Sequence, residues 1–220
     1  MSNIDFYYFV VSPYCRSVLY AAEVLDVKLN KKVINLLKGE QKNEEFVKLN
    51  PHHKVPTLVD GDFVLGESRS ILTYLFNKYG KSKHEYLYPK DLKKRAKIEQ
   101  FLYYTATTVA PAVLGYFAGI FFGKRKPTEE ETTKLETALN DLDKIYFQNS
   151  PFIFGDKPTL ADFDLAPVIL HLELLKYDYS KYPGISKFIA AVKKSDWITD
   201  TELEFKQTAE ALMKDFKPSA

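Results

Sequence analysis

The apolar positions follow one set of periods before residue 80 and another after residue 92. Residues 4–10, IDFYYFV, are an aromatic and β-branched run of strand length. A helical pattern follows, with Val18, Leu19, Ala22 and Leu25 on one face. A second strand is expected at 28–35, KLNKKVIN, where Leu29, Lys31 and Val33 alternate only weakly. VPTLVDGDFVLG (55–66) is two short apolar runs around Asp60-Gly61-Asp62, the pattern of a β-hairpin. A helix then opens at Glu67-Ser68 and carries Ile71, Leu72, Leu75 and Phe76 together. It stops at Tyr79-Gly80, glycine being favoured just past a helix end. The order β-α-β-loop-β-β-α predicts an α+β domain over residues 1–80 with a mixed four-stranded sheet.

Residues 81–91, polar and proline-containing, are expected to link this domain to another. Beyond residue 92 strand signals vanish, and helical patterns cover 92–122, 128–149, 159–177, 184–195 and 199–214. Residues 92–220 are therefore expected to form an all-helical domain. TLADFD (159–164) marks one helix start: Thr159 caps it, and Asp162 returns a bond to the cap's backbone N–H. Pro167 falls inside that helix and is expected to kink it.

Composition narrows the function classes. The chain has 220 residues, 31 basic and 29 acidic, for a net charge of +2. That balance gives no electrostatic case for a nucleic-acid or membrane partner. The basic runs at 90–97 and 123–127 read as solvated surface. One cysteine allows no internal disulfide and no cysteine-rich metal site, so no metal is expected. Its scarcity suits a reducing compartment. The most apolar stretch, 110–123, is shorter than the roughly 20 residues of a membrane span. The first residues lack a secretory signal pattern, and a cytoplasmic location is expected.

Two stretches carry candidate chemistry. Ser12-Pro13-Tyr14-Cys15 reads like the Cys-Pro-Tyr-Cys loop of a dithiol redox protein with its first sulfur replaced by a hydroxyl. Ser12 closes a strand and precedes a helix, beside unpaired N–H groups and a positive dipole end. None of His52, His53, His84 and His171 sits in a nucleophile context, so Ser12 reads as a donor to another molecule's anion, or as an ordinary N-cap. Cys15, about one turn into the helix, reads as a small core residue. In LNPHHKVPTLVDGDFVLGESRSIL (49–72), Pro56 begins a strand, where a cis proline would leave Val55 free to pair with an extended peptide. Glu67, Ser68 and Arg69 then offer an acid, a hydroxyl and a base at a helix start. Such a group suits the ammonium and carboxylate of an amino-acid head, with His53 or Lys54 for a second carboxylate.

Taken in order, SPYCRSV, KGEQKNEEFVKLNP, VPTLVDGDFVLGESRSILTYL, KYG, LYPKDLKKRA, TLADFD and YSKYPGISKF cover nearly the whole chain. They resemble the cytosolic glutathione S-transferases of the serine-using, insect delta/epsilon kind. The resemblance implies a thioredoxin-like N-terminal domain, a helical C-terminal domain, and a homodimer. It implies glutathione as co-substrate, its thiolate stabilised by Ser12 and attacking small hydrophobic electrophiles. Val55, before Pro56, would pair with the cysteinyl residue; Glu67 and Ser68 would hold the γ-glutamyl head. His53 would reach the glycyl carboxylate, and Arg69 would help from the same corner. Where the family often has a histidine twelve residues before His53, this chain has Gln41, which donates a hydrogen bond without charge.

The electrophile is expected against Tyr14, Leu36 and the face Ala110, Val113, Leu114, Phe117 and Phe121, three or four residues apart. Two other readings stay open at this point. One is a thioltransferase using Cys15, and the other a non-catalytic carrier of hydrophobic ligands on the same fold.

Overall fold

The structure, a computed structural model, describes residues 4–147 and 150–215. Residues 1–3 and 216–220 of the expected domains, and 148–149 of the expected 128–149 helix, lie outside the described residues. The chain divides into two compact units, residues 4–83 with 199–215, and residues 84–198.

The first unit opens with β1 (Ile4–Tyr8), α1 (Pro13–Leu25) and β2 (Leu29–Val33). After two single 3₁₀ turns come α2 (Glu44–Leu49), β3 (Thr57–Asp60), β4 (Phe63–Leu65) and α3 (Ser68–Tyr79). The sheet order is β2-β1-β3-β4, with β2 parallel to β1 and the other neighbours antiparallel. A parallel neighbour needs a crossover, and α1 is that crossover. Ile4, Phe6 and Tyr8 alternate into the interior from the central strand. α1 packs on α3 by burying Cys15, Val18, Leu19, Ala22 and Leu25 against the layer that holds Ile71, Leu72, Leu75 and Phe76. Each such fully buried Leu, Ile or Phe contributes about 1.5–3 kcal/mol.

Two local devices shape this unit. Gly61 turns the hairpin at φ 66°, a conformation glycine adopts without a Cβ penalty. Gly80 does end α3, but at φ −63° rather than in the left-handed conformation expected of a glycine stop. Space decides there: a Cβ on Gly80 would lie 2.4 Å from the Phe76 carbonyl oxygen.

The second unit is helical. α4 (Leu92–Tyr104) and α5 (Ala110–Phe121) are joined by a π-helical turn at Thr105–Val109, so the backbone stays helical from 92 to 121. This run is long and apolar enough to cross a bilayer by length and composition, beyond the reach expected of 110–123 alone. Ile98, Phe101, Leu102, Val109, Ala110, Val113 and Phe117 on it are buried within the helical unit. α6 (Glu129–Asp141) ends in a second π-helical turn, Leu142–Tyr146. α7 (Leu160–Leu170) is buried at all eleven positions, which makes it the centre of the unit. Pro167 lies inside α7, and a 3₁₀ segment begins at His171, four residues on. α8 (Pro183–Lys193) completes the unit.

The Asp162 carboxylate accepts the Thr159 N–H at 2.7 Å, as its spacing predicts, and also the Thr159 hydroxyl and the Ile153 N–H. Burial pushes its pKa up to about 6, against the opposing pull of those donors.

One grouping differs from the sequence expectation. α9 (Thr199–Asp215) was read as part of the 92–220 helical domain, yet it belongs to the first unit. Periodicity gives a helix a face without saying what that face meets. Here it meets α1 and β1, through Glu202, Glu204 and Phe205.

Candidate functional site

The strand register brings the sequence candidates of the first unit to one end of the sheet. Tyr7 of β1 pairs with Thr57 at the start of β3, and Leu58 of β3 pairs with Leu65 at the end of β4. Val33, ending β2, pairs with Tyr8, ending β1. Four connections therefore lie at this end. They carry Ser12 after β1, Leu36 and Gln41 after β2, His53 to Pro56 before β3, and Glu67 to Arg69 after β4. α1 and α3 both begin here, and no side chain caps either N-terminus. Both helices thus direct the positive ends of their dipoles to this end of the sheet.

Ser12 occupies the N-cap position of α1 in an extended conformation, φ −70° and ψ 122°. Its N–H donates to the Phe9 carbonyl, and its carbonyl accepts from the amides of Cys15 and Arg16. The backbone is thereby fixed while the half-buried hydroxyl makes no capping bond.

Cys15 is completely buried. Burial pushes its thiol up to about 12, against the opposing effects of the Phe9 backbone, the Ser12 hydroxyl and the Arg16 charge. A thioltransferase nucleophile must be reachable and low in pKa, and Cys15 is neither. Its burial argues against that reading.

The peptide-edge loop is tied from beneath by Asn50. Its Nδ2 donates to the Lys54 carbonyl at 3.0 Å and to Thr57 Oγ1 at 2.8 Å, while its Oδ1 accepts the His52 N–H. The His53 N–H donates to the Asn50 carbonyl, and His53 itself adopts φ 43°. His53 and Lys54 project as exposed side chains, and the Val55–Pro56 peptide bond is cis. No hydrogen bond within the described residues takes up the backbone of Val55.

Glu67 is exposed and strained, a non-glycine residue at φ 61°, ψ 108°. Ser68, the first residue of α3, is buried. The Arg69 guanidinium lies 5.8 Å from the centre of the Tyr14 ring, a cation–π contact between the starts of α3 and α1. Leu36 is half-buried in a 3₁₀ turn that Asn35 caps. Gln41 lies in the next turn; its Oε1 is enclosed and has no hydrogen-bond partner among the described residues. In the helical unit, Ala110, Val113 and Phe117 are buried in the interior, and Leu114 and Phe121 are half-buried.

Comparison with known proteins bears on this arrangement. Residues 6–83 match the family model for the glutathione S-transferase N-terminal domain, and residues 112–200 match that for its C-terminal domain. The chain belongs to the glutathione S-transferase family.

It is 35% identical to glutathione S-transferase D7 of Drosophila melanogaster over 217 residues, 99% of this chain and 96% of that protein. A delta-class glutathione transferase of Nilaparvata lugens is 40% identical and superposes with a TM-score of 0.83 over 94% of this chain and 99% of that one. A glutathione transferase homologue of Drosophila mojavensis, solved with bound glutathione, is 31% identical, with a TM-score of 0.86 over 97% of this chain and 98% of that one. The four-stranded mixed sheet and the helical C-terminal unit are the fold of this family.

For a transferase of this kind, sequence reasoning missed two groups. Asn50 stood in plain view in the LNP triplet but carried no charge or nucleophile to draw notice. The α9 acids looked like any solvated helix face.

Proposed function

We propose that the chain conjugates glutathione to small hydrophobic electrophiles by stabilising the bound thiolate. The observation that carries this reading is the meeting of Ser12, the cis Val55–Pro56 bond and the Glu67-Ser68 helix start at one end of the sheet. The glutathione bound to the Drosophila mojavensis homologue supports the same ligand here.

In this reading Val55 pairs its open backbone with the cysteinyl residue of glutathione, in the manner of a strand added to an edge. Glu67 takes the γ-glutamyl ammonium and Ser68, at the N-terminus of α3, takes its carboxylate; Arg69 adds positive charge beside His53. His53 and Lys54 face the glycyl carboxylate, and the enclosed Gln41 amide reaches the same end of the peptide. Ser12 donates its hydroxyl hydrogen to the sulfur.

The magnitudes are consistent. A free thiol with a pKa of about 8.5 is a few per cent ionised near neutrality. Lowering that pKa by about two units takes about 2.7 kcal/mol of differential stabilisation. One hydrogen bond to a charged acceptor supplies about 1.5–3 kcal/mol, and the α1 N-terminus adds a further fraction. With the thiol proton passed to water, the thiolate then forms the C–S bond at the electrophilic carbon of the second substrate. The substrate either releases its leaving group with the bonding electron pair or, in an addition, takes up a proton from water. Within the first unit, the apolar side chains that would receive that substrate are Tyr14 and Leu36. We place the protein in the cytoplasm as a homodimer, with detoxification of apolar electrophiles as its work.

The test is the ultraviolet absorbance of the bound thiolate against pH, in wild type and Ser12→Ala. A bound thiol that ionises about two units below free glutathione, with the shift lost in the variant, supports the mechanism. Tight binding without such a shift leaves a carrier of the peptide and overturns it.

A further inference from the structure

Tyr8 and Arg16 stand four residues before and four residues after Ser12, and α9 holds both. Tyr8 ends β1, and its hydroxyl donates to Glu204 Oε1 at 2.7 Å, while Lys31 lies 3.5 Å from the other oxygen of that carboxylate. Arg16, in the first turn of α1, is completely buried and donates from Nη1 to Glu202 Oε1 at 2.6 Å. The Tyr20 hydroxyl donates to the same oxygen, and the Phe205 ring covers the guanidinium at 3.6 Å. Arg16 is coupled directly to Ser12, since its amide donates to the Ser12 carbonyl at 3.2 Å.

A buried ion pair is a poor way to gain stability, because desolvation offsets most of the attraction and an apolar pair often does as well. What the pair gives that apolar packing does not is direction. The Nη1 hydrogen bond to Glu202 and the Phe205 ring stacked on the planar guanidinium hold the first turn of α1 at a set place on α9. A hydroxyl that must meet a sulfur within hydrogen-bond distance needs such a fix, since a misplacement of about 1 Å costs on the order of 100-fold in rate.

We propose that Glu202 and Glu204 are positioning residues for conjugation: acting through Arg16 and Tyr8, they set where the Ser12 hydroxyl lies. The inference rests on the reading of Ser12 as the donor to the glutathione sulfur. The last helix of the chain thereby becomes part of the glutathione half of the enzyme.

The experiment is the thiolate titration of bound glutathione, with kcat and the glutathione Kd, on full-length Glu202→Gln, Tyr8→Phe and the double variant Arg16→Met/Glu202→Leu. The double variant replaces the pair by apolar packing and keeps α9 seated; Tyr8→Phe removes one hydroxyl and keeps the ring, so one flank is read even if the other variants fold poorly. In the folded variants the bound thiol pKa is expected to rise by about one unit, with kcat at neutral pH down by up to about tenfold and Kd changed less than threefold. A lowered melting temperature with wild-type thiol pKa and kcat would make the clasp purely structural and overturn the proposal. A wild-type enzyme with no thiol shift, or a shift that Ser12→Ala keeps, would overturn the Ser12 reading and this inference with it. A Ser12-dependent shift that survives in the clasp variants overturns this inference alone.

Discussion

Asn50 and Thr57 meet through a 2.8 Å hydrogen bond from amide to hydroxyl, and that bond closes the loop on which His53, Lys54 and the cis Val55–Pro56 bond are carried. Asn50 is buried, and a second bond from the same nitrogen reaches the Lys54 carbonyl. Truncating it removes both bonds and the acceptor of the His52 N–H, while the Thr57 hydroxyl still donates to the Lys54 carbonyl, at about 2 kcal/mol. Asn50→Ala is therefore expected to unfold about 2 kcal/mol more easily by denaturant titration and to bind glutathione about tenfold more weakly by calorimetry. Lost stability with unchanged affinity would show that the brace serves the fold and not the peptide edge.

The Cys15 thiol, buried and held near pKa 12, is expected to be inert in the native protein. An aromatic disulfide reagent at pH 8 is expected to label it only as the protein unfolds. Cys15→Ala is expected to keep conjugating activity within about twofold, at about 1 kcal/mol of stability for the small cavity. Rapid native labelling that abolishes activity would return the thiol to the chemistry.

Much of this was legible in the sequence, and the reason differs from piece to piece. Val18, Leu19, Ala22 and Leu25 repeat at helical spacing, so α1 and its buried face could be read directly. The hairpin was marked by Asp60-Gly61-Asp62, and the capping box by Thr159 and Asp162 three residues apart. These are local features, decided within one or two turns of chain. Partnership across long separations was not legible. Nothing in ELEF (202–205) says that its acids meet Tyr8 and Arg16 nearly 200 positions earlier. Nor does a Glu before a helix announce φ 61°, because backbone strain has no composition of its own. The π-helical turns at 105–109 and 142–146 fell inside patterns that fit an α-helix, a period too close to theirs to separate over five residues.

Glu67 predicts a trade between stability and function. A non-glycine residue held at φ 61°, ψ 108° costs on the order of 1–3 kcal/mol, tolerated where the side chain has work to do. Glu67→Gly relieves that strain but adds freedom to the unfolded chain worth about 0.4–1 kcal/mol. Its melting temperature is expected to equal or exceed that of the wild type, while glutathione affinity falls tenfold or more. Glu67→Ala keeps the strain and loses the carboxylate, so it binds equally weakly without the gain in stability. Wild-type affinity in Glu67→Gly would exclude the residue from the ammonium contact.

Asp162 gives the helical unit a pH dependence of definite sign. In the unfolded chain its carboxyl titrates near the ordinary value of 3.8; in the fold burial raises it to about 6. The folded state therefore holds the proton more tightly, and between those values it binds more protons than the unfolded state. The resulting stabilisation is fully present below about pH 3.8 and is lost as pH rises through about 6. A shift of about two units corresponds to about 3 kcal/mol over that interval. Asp162→Asn removes the titration. It also turns an NH₂ toward donors that now meet a carboxylate, so the variant is expected to be less stable at every pH. The informative quantity is the difference between the two proteins, because every other titrating group cancels in it. Denaturant midpoints from pH 3.5 to 7 are expected to show wild type losing its advantage over Asp162→Asn as pH rises. A constant difference across that range would mean that the three donors hold the folded carboxyl near its unfolded pKa, with hydrogen bonding outweighing burial.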